Sequence, residues 1–245
     1  MATISADELM RHYALVINRD GDAARLALMR RAFEREGVPM PRRVGGMEFR
    51  HVGHSRWWHT RDNRFYALNC AASHAMCVRM AEAFCWPCVA VFEDDAWPRR
   101  GAMEAIDAAL EARPEGCGAL MLGTSRRLAP TVPVGSGVLA RCGDFRGSHA
   151  YVLFREAFAT YLSAFRTELR GYEADMVFRH HAPLAAATLV VAKPVFCQAN
   201  ETADGRWKYT HTVQNETTGT AWWKVPDDGF PSAAEVFSEK EDEHD

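Results

Sequence analysis

Glu93-Asp94-Asp95 sets three carboxylates side by side directly after the apolar run Val89-Ala90-Val91-Phe92. Such a run predicts a strand buried in a sheet. A strand that ends in acid delivers its carboxylates together to the carboxyl edge, where open α/β sheets bind ligands. Two carboxylates about 6 Å apart repel by about 3 kcal/mol at an effective dielectric of 20, so the group either shares a proton or holds a cation. Oxygen donors select magnesium or manganese. A metal held by one or two carboxylates commonly bridges to substrate phosphates, which points to a nucleoside diphosphate ligand. The plainer reading is a solvated loop opening the next helix, with one acid as its N-cap.

Elements that would position this group alternate along the chain. Tyr13 to Ile17 reads as a buried strand, and Asn18-Arg19-Asp20-Gly21-Asp22 as a polar turn rich in capping side chains. A helix follows, with Leu26, Met29, Ala32 and Phe33 on one face and Gly37 as its C-cap. Pro39 to Arg64 breaks the pattern and predicts loops with at most one short strand. Within it Trp57 and Trp58 either stack on a sugar or base or pin the loop. A helix over Ala71 to Phe84 leads to the acidic strand. Pro98 then breaks the chain, and Gly101 to Ala112 resumes a helix with Met103, Ile106 and Leu110 as its stripe.

Ala119 to Leu122 predicts a strand ending at Gly123-Thr124-Ser125, a small turn that a ligand could approach closely. Pro130 to Gly143 reads as an excursion or hairpin, Ala150 to Phe154 as a strand, and Phe158 to Leu169 as a helix ended by Gly171. Thr188 to Ala192 is one more strand, stopped by Pro194. The alternation predicts a single α/β domain over 1–238, and the charged run 239–245 a disordered tail.

A net charge of -3 argues against a general nucleic-acid binder, whose affinity comes from phosphate neutralisation, so any anion site must be local. The start lacks a basic segment followed by an apolar one, and no stretch reaches membrane-spanning length. The expectation is a cytoplasmic protein, with peripheral association at the inner face of the membrane left open. Seven cysteines in apolar segments fit reduced, buried thiols. Cys85-Trp86-Pro87-Cys88 has redox spacing but lies between a helix and a strand, whereas the redox motif opens a helix. A zinc site would need a second ligand pair, and His51, His54 and His59 form no such pattern.

Four short blocks, in order, resemble the lipopolysaccharide-biosynthesis glycosyltransferases of family 25, which include the collagen galactosyltransferases. They are Val16-Ile17-Asn18, Cys70-Ala71-Ala72-Ser73-His74, Val91-Phe92-Glu93-Asp94-Asp95 and Gly147-Ser148-His149-Ala150-Tyr151-Val152. The resemblance spans Tyr13 to Gln198. It implies a GT-A fold with a mostly parallel central sheet flanked by helices, a nucleotide-sugar donor with a UDP-sugar as first choice, Mn2+ or Mg2+ at the acidic motif, and inversion at the sugar carbon. It also implies a saccharide or glycolipid acceptor such as lipopolysaccharide. The family's basic, aspartate-containing run after the first strand is only partly kept in Arg19 to Arg25, and its glycine before the Cys-x-x-Ser-His block is absent from Tyr66 to Asn69.

Such a reaction assigns tasks to residues. Glu93 and Asp95 would hold the metal that stabilises charge on the departing diphosphate, with Asp95 the preferred direct ligand. Asp94 would face the donor sugar or ribose. Asn18, Arg19, Arg25, Ser73, His74, His149 and Gln198 are further donor-site candidates; the alternatives are local packing for His74 and a backbone-bonded turn for His149. Inversion needs a base remote from the metal, for which Glu173 and Asp175 qualify, Asp175 being favoured; it would otherwise be an N-cap. Lys193, Arg206, Lys208 and His211 could close over the diphosphate or belong to a charged surface loop. The other classes are a non-catalytic carbohydrate-binding scaffold and a nucleotidyltransferase. The latter would grip a triphosphate with a glycine-rich basic loop after the first strand, which this sequence does not show.

Overall fold

Both faces of the central strands are apolar, so each strand needs a helical layer on either side. The computed structural model describes residues 4–47, 63–127, 129–168, 174–201 and 207–210. In chain order the elements are α1 (Ala6–His12), β1 (Ala14–Asn18), α2 (Ala23–Arg35), β2 (Arg42–Gly45), α3 (Asn63–Ala83), β3 (Cys88–Glu93), β4 (Ala96–Pro98), α4 (Ala102–Glu111) and β5 (Ala119–Gly123). They continue with β6 (Arg126–Arg127), β7 (Thr131–Val134), β8 (Leu139–Cys142), β9 (Phe145–Arg146), β10 (Ala150–Phe154), α5 (Arg155–Glu168), α6 (Ala174–His180), α7 (Ala182–Ala187), β11 (Thr188–Val191), β12 (Phe196–Glu201) and β13 (Trp207–Thr210). The tail 239–245, Trp57, Trp58, Gly171 and the three histidines His51, His54 and His59 lie outside the described residues.

Eight strands form one sheet in the order β2-β1-β3-β10-β5-β11-β8-β7. The pairs β1–β2, β1–β3 and β5–β11 are parallel, while β10 runs antiparallel to both β3 and β5, and β8 to both β11 and β7. The sheet is therefore mixed, not mostly parallel. The departure arises because the chain reaches β10 from the excursion β6 to β9 rather than through a crossover helix, and so enters the middle of the sheet from the opposite end. One consequence bears on function: the residues that open β10 stand at the carboxyl ends of β3 and β5. Ala150 is opposite Phe92, and the Glu93 N–H donates to the His149 carbonyl at 2.9 Å.

Pleat alternation sorts side chains between two cores. Ala14, Val16, Cys88, Ala90, Phe92, Ala150 and Val152 meet α1, α2 and α4 through Leu9, Met29, Phe33 and Ile106. Leu15, Val89, Val91, Tyr151 and Leu153 meet α3, α5 and α6 through Val78, Phe158, Tyr161 and Phe178. Phe92 packs edge-on against Phe33 and Phe196, with ring centroids 6.0 and 4.9 Å away. Burying a phenylalanine side chain contributes roughly 1.5–3 kcal/mol, so this cluster anchors the end of β3 next to the acids.

Two helix ends illustrate the local chemistry. Gly37 takes φ 67°, and the Val38 N–H reaches back to the Phe33 carbonyl at 2.9 Å, closing α2. Cys85 does the same for α3 at φ 56°, with the Trp86 N–H on the Ala81 carbonyl at 2.9 Å. The Cys85–Cys88 pair is thus a helix-terminating turn. Cys88 is buried at the start of β3, where burial pushes its thiol up to about 12, away from nucleophilic thiolate behaviour.

No helix opens at the acids. Asp94 and Asp95 form the turn from β3 into β4, which pairs with β12 in a second sheet of order β13-β12-β4. Ala96-Trp97-Pro98 is too short to show a period, so sequence reading sees only the proline. Among the described residues no helix is long and apolar enough to cross a membrane.

Candidate active site

Alternation along β3 separates the three acids. Val89 and Val91 face the α3 side, so Glu93 does too; Phe92 faces the α2 side, and Asp94 follows on that side. Glu93 Oε1 lies 3.4 Å from His74 Nε2 and accepts from Ser148 Oγ at 3.3 Å. Asp94 Oδ2 accepts from Asn18 Nδ2 at 2.7 Å, and its Oδ1 pairs with Arg25 at 2.8 Å. Asp95 Oδ2 takes the same Arg25 group at 2.9 Å and Gln198 Nε2 at 3.1 Å.

These acids line a cleft of about 520 Å³ together with Ile17, Arg19, Arg25, Cys70, Ser73 and Gln198. Asn18, His74 and His149 are buried behind it. Asn18 is held by Arg43, whose Nε donates to Asn18 Oδ1 at 2.9 Å and whose guanidinium also pairs with Asp20. Ser73 Oγ donates to the Asn69 carbonyl and accepts the Met47 N–H at 2.8 Å, tying α3 to the chain beyond β2. His74 stacks on Tyr151 and shares a 3.1 Å hydrogen bond from its Nδ1 to the phenol oxygen. The four sequence blocks therefore meet at one place, at the carboxyl edge of β1 and β3 and the opening of β10.

The electrostatics favour a cation. Burial, then the charges of Glu93 and Asp94, push Asp95 up to about 7 despite Arg25 and Gln198. Burial likewise raises Asp94 against the opposing pull of Arg25 and Asn18. Burial alone would raise Glu93 too, but the neighbouring imidazole of His74, with His149 and Ser148, holds it below the usual carboxylate range. Asp95 Oδ1 is buried and has no hydrogen-bond partner among the described residues. Such an atom is costly unless something positive meets it, so the oxygen donors fit a hard divalent ion. A second donor set also converges: ligand atoms of Cys70, His74 and Glu93 lie within 4.8 Å of one another. Cys70 and His74 are four residues apart, hence neighbours on one face of α3.

The turn after β5 is filled by protein. A Cβ on Gly123 would run into His149 Nε2 and lie 2.7 Å from the Phe196 carbonyl, so the close approach made there is by the imidazole of His149, not by a ligand. Gly147, at φ 89°, packs against Ser125 in the same way. Its N–H donates to Asp175 Oδ2 at 2.9 Å. Asp175 sits inside the first turn of α6, not at its N-cap. Burial raises its carboxyl, offset by the Gly147 N–H, Arg179 and Arg146. Asp175 Oδ1 is buried without a hydrogen-bond partner among the described residues, and Asp175 is not among the residues lining the cleft.

Lys193 is not brought to this site. It lines a separate cleft of about 330 Å³ with Arg99 and Val195. Glu173, Arg206 and His211 lie outside the described residues, as does the side chain of Lys208. Sequence reading did not single out Cys70 as a neighbour of His74 and Glu93, nor Arg43 and Tyr151, which bond Asn18 and His74. The Cys-x-x-x-His spacing was the available signal for the first, although the predicted helix began at Ala71, one residue after Cys70, whereas α3 begins at Asn63; nothing local marks the others.

No protein-family model matches the chain, and no curated protein matches its sequence. Among solved structures the chain is similar to a glycosyltransferase involved in glycosylation of the major capsid of PBCV-1, at 9% identity and TM-score 0.43, covering 73% of this chain and 79% of that one. It is also similar to a Drosophila β-1,4-galactosyltransferase 7 mutant in complex with manganese, UDP-Gal and xylobiose, at 15% identity and TM-score 0.41, covering 87% and 81%. Neither assigns a residue role here.

Proposed function

We propose that this protein is a metal-dependent, GT-A type glycosyltransferase of the family 25 kind. It moves a sugar from a nucleoside-diphosphate donor, UDP first, to a hydroxyl of a saccharide or glycolipid acceptor with inversion. The observation that carries the reading is the convergence of Glu93, Asp94 and Asp95 in one cleft at the strand edge, with a buried Asp95 oxygen left unpaired. The meeting of the four sequence blocks around that cleft supports it further.

In this reading Glu93 and Asp95 hold Mn2+ or Mg2+, which when bound supplies Lewis-acid stabilisation of charge on the leaving diphosphate. Arg19 and Arg25 line the same cleft and face donor phosphate; Arg25 exchanges its carboxylate partners for phosphate oxygens. Asp94, oriented by Asn18, accepts hydrogen bonds from donor hydroxyls. Gln198 orients Asp95, while His74, Ser148 and His149 hold Glu93. Asp175, oriented by the Gly147 N–H, is the base proposed to take the acceptor proton, which requires the acceptor to reach it from beyond the residues that line the donor cleft.

Thermal unfolding of the chain with a panel of nucleotide sugars, each with and without Mn2+, tests the binding half. A ligand that favours the native state at 100 times its Kd stabilises by about 2.7 kcal/mol. The reading expects one nucleotide sugar to raise Tm only when Mn2+ is present. A panel that leaves Tm unmoved with and without Mn2+ contradicts it.

A further inference from the structure

We propose that Cys70, His74 and Glu93 form a binding site for a zinc-class divalent cation, separate in chemistry from the oxygen site of Asp95 and sharing Glu93 with it. Three observations converge. First, the three ligand atoms lie within 4.8 Å of one another, and His74 Nε2 is already 3.4 Å from Glu93 Oε1. Bonds of about 2.0–2.3 Å in tetrahedral geometry put ligand atoms about 3.3–3.7 Å apart, so the His74–Glu93 pair already stands at a ligating separation. Second, His74 is fully buried and its Nε2 makes no hydrogen bond, while Nδ1 is engaged by Tyr151. That is the arrangement of a ligating histidine, whose second nitrogen is fixed by a partner so that the first presents its lone pair. Third, Ser148 Oγ holds Glu93 Oε1 from the other side.

A thiolate and an imidazole beside one carboxylate select zinc or cobalt over magnesium. Three protein ligands leave a fourth position, and because Cys70 and Glu93 both line the cleft, that position opens onto it. The ion there takes water or a ligand oxygen as its fourth donor. Because Glu93 serves both donor sets, zinc and manganese compete for it. The site stands on its own geometry, whatever reaction the cleft performs.

Co2+ titration of the full chain under a non-chelating reductant tests this by absorption. The expected result is one equivalent of Co2+ giving a thiolate-to-cobalt charge-transfer band, displaced by Zn2+ but not by Mg2+. Cys70→Ser abolishes the band; Cys85→Ser, which removes the exposed thiol after α3, and Asp95→Asn both retain it. Absence of the band in the parent chain, or its persistence in Cys70→Ser, overturns the proposal. A chain that shows the band but transfers no sugar keeps this site and loses the transferase reading, and a chain that transfers sugar with manganese but shows no band does the reverse.

Discussion

Arg25 bridges Asp94 and Asp95, 2.8 Å from an oxygen of the first and 2.9 Å from an oxygen of the second. Two of the three acids thus share one guanidinium from α2, on the face of the sheet opposite to the one where Glu93 meets His74.

Arg25→Gln removes that charge and leaves two mostly buried carboxylates facing each other. With the Arg25 side chain about a third exposed, solvent screening reduces the effect, and the expected loss is about 1–2 kcal/mol at neutral pH. Mn2+ should restore more stability to the variant than to the parent, because the ion takes over the neutralising role. Urea unfolding with and without Mn2+ measures both.

Gly123→Ala places a methyl group against His149 and the Phe196 carbonyl, neither of which has room to retreat in a filled core. Overpacking of this kind costs about 1–3 kcal/mol. Gly45→Ala, on the edge strand with nothing within 4 Å, should stay within about 0.5 kcal/mol of the parent. Equal urea midpoints for the two variants would contradict this packing account.

The elements around the site were largely legible from periodicity. The strand of Tyr13 to Ile17 appears as Ala14–Asn18, that of Ala150 to Phe154 as expected, and the helix before the acids ends at Ala83, close to Phe84. What sequence reading could not supply was direction and pairing. It placed His149 near a crevice, but only the antiparallel entry of β10 explains why the His149 carbonyl binds the Glu93 N–H. It grouped Glu93 with Asp95, and both line the cleft, but nothing local shows that Glu93 also comes within reach of His74 and Cys70 on α3. The partner of the acid turn, β12, lies about a hundred residues away, and no local pattern announces that contact.

Asp175 gives a pH prediction. Its native carboxyl is raised above the ordinary value of 3.8, chiefly by burial, so the native state keeps its proton longer than the unfolded chain. Its contribution to stability is present below that ordinary value and is lost as pH rises through the raised native one. Asp175→Asn should therefore gain stability relative to the parent from acid toward neutral pH. Urea midpoints measured across that range check it; a difference that does not change with pH contradicts it.

Tyr151→Phe keeps the ring stacked on His74 but removes the hydroxyl that engages Nδ1. Loss of such a partner typically costs about 10–100-fold in metal affinity, so the variant should bind Co2+ at least about tenfold more weakly than the parent. Unchanged affinity in the same titration would show that Tyr151 does not orient the imidazole.

The central claim is that the acids closing β3 seat a dication against a departing diphosphate. Its most direct test is Mn2+-dependent release of nucleoside diphosphate from a nucleotide sugar in the presence of saccharide acceptors, compared between the parent chain and Asp95→Asn. The account predicts release by the parent, abolished by chelation and reduced at least about 100-fold by the substitution, as for loss of a group that stabilises developing charge. No nucleoside diphosphate from any donor, release of pyrophosphate instead, or undiminished turnover in Asp95→Asn would contradict it.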